Sequence, residues 1–585
     1  MILQSILFPS EEYFKETSLY YRSSETIDTN KIHLSPNQQI EFNTYFNSFS
    51  IDKWKTYTVI TNLFLEIDVE GEGSISLYES YLSGSSIQTK LLHSQDFSGE
   101  NRISINFPDI KKLRGACYFT ITAKEKGCSV LGGHYGTNPT ESDSNQIKIG
   151  IGICTYKREK EVSRNLNAIC ESILDNQNSP LHKKLEIFIA DNGQTLNNSN
   201  IHHNNIRIFP NKNTGGSGGF ARCMIEAVKA NQDLDITNFI LMDDDIVLNP
   251  AILLRTYHFL QFVKPEYQDR ILGGAMLKLE EPGVQGISGC FWEANTGVSF
   301  CNSNFDLRNF ANVVKNEEPN KVNFNPWFYC CIPIQHIRND NLPLPFFFQY
   351  DDTEYGLRHK SPILLNGIMV WHSFEDKANI CRNYCSRRNA NITKILNHST
   401  DLHLTSKRDL LIQCINLVGT YRYLDWIALA QAEIDLRTGP SKLMDKRITC
   451  FYQKLIKTKY PQITATTSST IQSSKKQKWD LVDKISFSFA IFNTILPSFK
   501  KATYFNKNDD IQPQKVSFAK QVIIQQNSEC SFIYTKSLKM LALSLFLLLK
   551  LVLCVTKKDK DIREMYFKKR KEMANIDFWN QYLGI

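Results

Sequence analysis

The 15 cysteines include no Cys-x-x-Cys pair of zinc-binding spacing, and neighbours such as Cys330 and Cys331 argue against a regular disulfide framework. That usage fits a reducing compartment, with the thiols as small buried side chains. Residues 1–10 lack a cationic stretch followed by an apolar core and a cleavage site, so no secretory signal is expected and the protein is expected to stay in the cytoplasm. No Gly-Lys-Ser/Thr follows the glycine cluster at 215–219, which excludes a P-loop, and the Rossmann glycine spacing is missing too. No internal repeat stands out. Basic residues do not interleave with a nucleic-acid-binding motif, so nucleic acid is not an expected partner.

A long hydrophobic run is also missing. The most apolar segment, 540–555, is sixteen residues. As a helix it reaches roughly 24 Å, short of the roughly 30 Å hydrocarbon core of a bilayer, so a span is disfavoured. With Lys550 inside it and Lys557, Lys558 and Lys560 behind it, the segment reads as one of two things. It is either a helix lying on an anionic membrane surface or a buried helix of a C-terminal domain.

What is present suits a globular chain: of 585 residues, 42% are hydrophobic and 22% charged, and the length predicts three or four domains. The excess of 68 Lys and Arg over 60 Asp and Glu, +8, is compatible with phosphate or anionic lipid and equally with ordinary solubility. From Tyr57 to about Ala123, Leu63, Leu65, Ile67, Val69, Ile75, Leu77, Ile103 and Ile105 recur with period two, punctuated by Gly71, Gly73, Gly84 and Gly99. This predicts an antiparallel β-sandwich over residues 1–140. After the polar stretch 137–145 the pattern becomes strand 147–153, helix 159–174 and strand 185–190, with a further strand at 239–242. An α/β domain is predicted over 147–400, with polar groups collecting where strands end, as ligands do in open α/β sheets. Segments such as 409–419 and 424–436 predict a helical region over 401–585, in which the Thr/Ser stretch 464–474 reads as an exposed loop.

Several polar clusters could build one site. Thr155-Tyr156-Lys157-Arg158 follows the first strand of the α/β pattern, where Arg158 faces either a ligand phosphate or base, or solvent at a helix start. Asp191-Asn192-Gly193 ends the next strand, as a ligand contact or as a plain turn. Asn213-Thr214-Gly215-Gly216-Ser217-Gly218-Gly219-Phe220 precedes a predicted helix, its glycines letting backbone approach an anion or simply forming a flexible turn. Asp243-Asp244-Asp245 follows the apolar run 239–242. Three carboxylates at the end of a buried strand repel one another unless a cation sits among them, and hard oxygen ligands suit Mg²⁺ or Mn²⁺. Alternation puts Asp243 and Asp245 on one side to share that cation and leaves Asp244 on the other, toward sugar hydroxyls.

Further along, the aromatic run 346–350 leads into Asp351, Asp352 and Glu354. A carboxylate there could take a proton from an attacking hydroxyl, or these acids could simply complement a helix dipole. Trp371-His372 follows, its imidazole a metal ligand or a structural histidine. Trp327-Phe328-Tyr329 offers a platform for a sugar face, or core aromatics.

In this order the motifs resemble those of family 2 glycosyltransferases, specifically bacterial UDP-galactofuranose-dependent galactofuranosyltransferases. The resemblance extends to Tyr45-Phe46-Asn47, Trp54, Tyr384, Arg388-Asn389 and Phe578-Trp579. It implies an N-terminal β-sandwich, an α/β GT-A nucleotide-sugar domain and a C-terminal helical region that aids membrane association. It further implies donor contacts by Arg158, Asp191, Asn192, Asn213 and Asp244, and a divalent metal, Mg²⁺ or Mn²⁺, on Asp243, Asp245 and His372. Asp352 is the implied catalytic base, with Asp351, Trp327 and Phe328 along the acceptor or donor sugar. Asn192 stands where the family often has Gln, and Phe328 where a second Trp is common. The implied reaction is inverting transfer of galactofuranose from UDP-galactofuranose to a hydroxyl of a cell-surface glycan or its lipid-linked precursor. It would take place at the inner face of the cell membrane, and a homo-oligomer is among the arrangements allowed. The rival readings are a family 2 transferase for another nucleotide sugar and a noncatalytic glycan-binding protein.

Overall fold

A computed structural model describes residues 1–10, 15–23, 32–138, 144–196, 203–374, 379–397, 404–458, 460, 462–464, 493–506, 509, 511–516, 518–525, 530–555 and 558–585. The chain forms two compact units, residues 1–343 with 352–375, and residues 344–351 with 376–585.

In the first unit, β1 (Phe64–Ser83) and β2 (Ala116–Gly136) pair antiparallel along most of their length, and shorter strands flank them. The period-two residues Leu65, Ile67, Val69, Ile75 and Leu77 are all buried in this sheet. The strands expected as a sandwich are hydrogen-bonded in one eight-stranded sheet; Gly71 and Gly73 lie within β1, whereas Gly84 and Gly99 fall between strands as expected. At Gly71 the register breaks, φ is +101°, and a Cβ would lie 2.4 Å from the carbonyl oxygen of Gly127. Only glycine lets the two long strands approach there.

The second sheet of this unit carries the α/β pattern. Strands β3 (Ile149–Thr155), β4 (Leu185–Asp191), β5 (Ile206–Pro210) and β6 (Asn238–Asp243) are parallel, in the order β5-β4-β3-β6. Helix α1 (Glu159–Ile169), extended by one π turn, links β3 to β4, and α2 (Gly215–Leu234) links β5 to β6. Ile149, Ile151, Ile153, Ile187, Ile189 and all of 239–242 are buried, the continuous apolar character expected of a sheet covered on both faces. From β3 the chain winds to β4 and β5 on one side, then returns to β6 on the other. The order therefore reverses between β3 and β6, and such a switch point opens a crevice at the carboxyl ends of those two strands. Five more strands extend the sheet to nine, among them β7 (Leu272–Lys278), β8 (Tyr329–Pro333) and β9 (Ile363–His372), with β8 antiparallel to β6 and β9 parallel to β7.

Helix α3 (Asp351–Gly356) begins at the passage from one unit to the other. The second unit contains α4 (Ile380–Asn397), α5 (Lys407–Gly419), α6 (Tyr423–Thr438), α7 (Ile448–Lys457), α8 (Leu538–Cys554) and α9 (Asp559–Met573). It also contains a sheet that the helical expectation for 401–585 missed: β10 (Gln462–Thr464), β11 (Lys500–Asn506), β12 (Ala519–Gln525) and β13 (Cys530–Thr535), ordered β10-β13-β12-β11. In β12 the apolar signal is only Val522, Ile523 and Ile524 between polar residues, and in β11 only Phe505 is buried, so neither strand shows a sustained alternation. Beyond Thr464, the predicted loop 464–474 lies outside the described residues.

Helix α8 is apolar on two faces. Leu541, Leu547 and Leu551 are buried, and the Trp426 indole N–H of α6 donates to the Ser544 carbonyl at 3.1 Å. Phe546, Leu549 and Leu553 are exposed. Among the described residues no single helix is long and apolar enough to cross a membrane; the bent pair α8 and α9, at 85° to each other, passes by length and composition only.

Candidate active site

The switch point brings polar groups of distant sequence together. Arg158 follows β3, and Asp243 ends β6 with Asp244 and Asp245 behind it. His372 ends β9, and an antiparallel bridge between Val247 and Trp371 draws it in: Val247 N–H donates to Trp371 O at 2.8 Å, and Trp371 N–H to Val247 O at 3.1 Å. Trp371 is fully buried, its indole N–H donates to Pro282 O at 3.0 Å, and Phe46 packs beside it at 6.1 Å between ring centroids. On α1, buried Asn165 donates to Ile246 O at 2.8 Å and pins the turn after the three aspartates.

One ligand atom from each of Asp243, Asp245 and His372 lies within 4.8 Å of the others. His372 Nε2 is 3.1 Å from Asp245 Oδ1 and 4.0 Å from Asp243 Oδ2. Arg158 reaches Asp244 Oδ1 and Asp245 Oδ2 at 2.7 Å each. Burial pushes the Asp243 carboxyl up to about 7, His372 opposing the rise and Asp245 and Asp244 adding to it. Its side chain keeps 37% exposure, so solvent screening trims that rise. Burial alone would lower His372, but the hydrogen bond to Asp245 and the charges of Asp243 and Asp245 raise it to about 9. Burial works against the ionised form of Asp245 as well, yet His372 and Arg158 hold it below the usual carboxylate range. A proton on His372 thus occupies the place where an electron-pair acceptor fits, and two carboxylates with one imidazole form a donor set suited to Mn²⁺ or Mg²⁺.

The remaining sequence-predicted residues fall into two groups. Asp191 turns inward on its own loop, accepting from the N–H groups of Gly193 (2.9 Å), Thr195 (2.7 Å) and Leu196 (2.8 Å). Asn192 donates to Gly215 O at 3.0 Å and accepts from Asn211 at 2.8 Å, while Asn213 Oδ1 accepts from Gly215 N–H at 3.1 Å. These residues build the floor beside β3. The glycines of 215–219, expected to precede a helix, instead form the start of α2, with Ser217, Gly218 and Gly219 buried. A Cβ on Gly219 would sit 2.1 Å from Cys154 Sγ and 3.3 Å from Asn192 Nδ2. Close packing against Cys154 requires a glycine there. Gly219→Ala is accordingly expected to cost about 1–3 kcal/mol of stability, measurable by denaturant unfolding; unchanged stability would show that α2 shifts freely.

The second group lies along β8 and α3. Tyr329 of β8 pairs with Met242, so Trp327 and Phe328 sit at the carboxyl end of β6. Trp327 is 5% exposed, with edge contacts to Phe220 at 5.3 Å and Tyr355 at 5.9 Å. Asp351 is buried and Asp352 half-buried. The Asp352 carboxylate accepts from Thr353 N–H at 2.6 Å and from the Thr353 hydroxyl at 3.1 Å; burial nevertheless lifts it to about 6. Its charge acts on Cys330, which pairs with Leu241, two residues from Asp243. Glu354, fully buried, is committed to Arg358, whose guanidinium also donates to Leu342 O at 2.9 Å.

The proteins this chain is similar to are galactofuranosyltransferases. Residues 3–135 match the family described as galactofuranosyltransferase 2 N-terminal. The chain is 27% identical over 405 residues to galactofuranosyltransferase GlfT2 of Mycobacterium tuberculosis, an alignment covering 62% of this chain and 59% of that protein. It is 26% identical over 398 residues to GlfT2 of Mycolicibacterium smegmatis, covering 62% and 58%. The match thus spans less than two thirds of these relatives' length. A mannosyltransferase of Pyrobaculum calidifontis, solved with GDP-Man and Mn²⁺, aligns at 12% identity over 52% of this chain and 79% of its own, with a TM-score of 0.27, too low to carry an argument.

Proposed function

We propose that the protein is a metal-dependent, inverting glycosyltransferase with a GT-A-type nucleotide-sugar domain. Its donor is UDP-galactofuranose, and its acceptor a hydroxyl of a cell-surface glycan or of its lipid-linked precursor. The observation that carries the reading is the meeting of Asp243, Asp245, His372 and Arg158 at the switch point between parallel strands β3 and β6, within a chain similar to galactofuranosyltransferases.

Asp243, Asp245 and His372 would hold Mg²⁺ or Mn²⁺, which when bound supplies positive charge against the diphosphate of the donor. Arg158, braced by Asp244, presents a planar donor fork to the same phosphates. Asn192, Asn213 and Asp191 keep the floor of the nucleotide crevice rigid, while Trp327, Phe328 and Asp351 border the sugar. Asp352 accepts the proton of the acceptor hydroxyl as its oxygen forms the new bond to the anomeric carbon and the bond to the phosphate oxygen breaks. One displacement from the opposite face inverts that carbon and leaves no sugar on the enzyme. A carboxyl near 6 is ionised at pH 7 yet more basic than an ordinary aspartate, as general-base work favours. The test is incubation with UDP-galactofuranose, Mn²⁺ and lipid-linked acceptors, with the product identified by mass and linkage. Transfer from a different nucleotide sugar alone would change the donor, and no transfer from any would refute the reading.

We also propose that the second unit rests on the inner membrane surface through α8. Phe546, Leu549 and Leu553 are exposed near Lys550, and Leu411 and Ile412 of α5 add exposed apolar surface. Burying one such side chain is worth about 1.5–3 kcal/mol. Phe546→Glu with Leu549→Glu is therefore expected to weaken sedimentation with anionic vesicles at least about tenfold. Unchanged sedimentation would refute this seat.

A further inference from the structure

Within the second unit, two buried side chains of α4 grip a turn held in an unfavourable backbone form. Phe347, Gln349 and Tyr350 have φ of +73°, +68° and +67°, the left-handed region that side chains other than glycine adopt at a cost. Asn389, fully buried, donates from Nδ2 to the carbonyl oxygens of Phe346 (3.2 Å), Phe348 (3.1 Å) and Gln349 (2.8 Å). Two N–H bonds thus face three carbonyls. Arg388, also buried, donates from Nε to Asn389 Oδ1 at 2.9 Å, which fixes the amide with its NH₂ toward the turn, and from a terminal nitrogen to Phe346 O at 3.1 Å. The guanidinium is held in turn by the hydroxyls of Tyr384 (3.3 Å) and Tyr452, and the Tyr452 ring stacks on Phe347 at 4.4 Å. Directly after Tyr350 the chain enters α3 with Asp351 and Asp352.

We propose that Asn389, oriented by Arg388, is a positioning residue for Asp352: it keeps the 346–350 turn left-handed and so sets the direction in which the chain enters α3. The inference rests on the reading of Asp352 as the base. Losing the amide lets the turn relax toward ordinary φ values and displaces the carboxylate. A misplacement near 1 Å can cost about 10²-fold in rate.

The test uses the full chain. Asn389→Ala is expected to lower kcat by about 10²-fold, with donor KM and calorimetric Mn²⁺-UDP affinity unchanged, because Asp243, Asp245 and His372 are untouched. Adding Gln349→Gly and Tyr350→Gly to Asn389→Ala is expected to restore much of kcat, since glycine adopts positive φ without penalty. A purely structural role for Asn389 predicts no such rescue. A folded Asn389→Ala with wild-type kcat, or a loss that the glycines do not recover, overturns the inference. If Asn389→Ala fails to fold, Tyr452→Phe loosens Arg388 while keeping the ring; it is expected to lower kcat in the same direction, and unchanged kcat again overturns it. Retained transfer by Asp352→Asn would instead defeat the underlying reading, and amide hydrogen exchange across 346–352 would still report whether Asn389 holds the turn.

Discussion

Asp352→Asn is expected to lower glycosyl transfer by about 10² to 10⁴ while leaving Mn²⁺-dependent UDP binding near the wild-type value. The substitution keeps the shape of the side chain and its contact with Thr353 but removes the only function asked of it, acceptance of a proton from the acceptor hydroxyl. The pH profile carries the same information. Burial lifts the Asp352 carboxyl to about 6, and only the ionised form can act as a base. The rate is therefore expected to fall about tenfold per pH unit below about 6 in the wild-type protein. Asp352→Asn should lose that acidic limb along with most of the rate. A variant that keeps most of its activity and the same limb would assign the base elsewhere.

Asp245→Ala is expected to lower kcat/KM by about 10² to 10³ and to abolish the enhancement of UDP binding by Mn²⁺ in calorimetry. Asp245 is the member of the cluster with most at stake. Its two oxygens lie 3.1 Å from His372 Nε2 and 2.7 Å from Arg158, so its loss removes a ligand and leaves two cationic groups without their common neighbour. His372 should then titrate well below its present value of about 9, a change observable by NMR. Asp243→Ala is expected to fail in the same metal-dependent way, with a smaller effect on His372 because its oxygen is 4.0 Å away. Metal-enhanced UDP binding that survives both substitutions would remove the cluster from the site.

Much of this site is legible in the sequence, for a physical reason. Apolar runs that stop at charged residues mark strand ends, and in an open α/β sheet strand ends are where ligands bind. That logic singled out Arg158, Asp243 and Asp245, and the structure brings them together with His372. His372 was harder, since its approach depends on the bridge between Val247 and Trp371, a non-local pairing with no sequence pattern of its own. Of the glycines before Phe220, Gly219 is required by a close approach to Cys154, a packing demand that no sequence pattern shows. The strands of 500–535 were missed because their apolar runs are too short to show a period. The grip of Asn389 on the 346–350 turn was invisible because a buried amide in a helix looks like any polar residue until its acceptors are placed.

The central claim is that one divalent cation is held by carboxylates and an imidazole from separate parts of the chain, next to the nucleotide. Anomalous diffraction at the manganese edge from crystals grown with Mn²⁺ and UDP tests it most directly. The predicted result is one strong peak in contact with Asp243, Asp245, His372 and the UDP phosphates, absent in Asp245→Ala crystals. A nucleotide bound with no peak there, or a peak held by other residues, would contradict it.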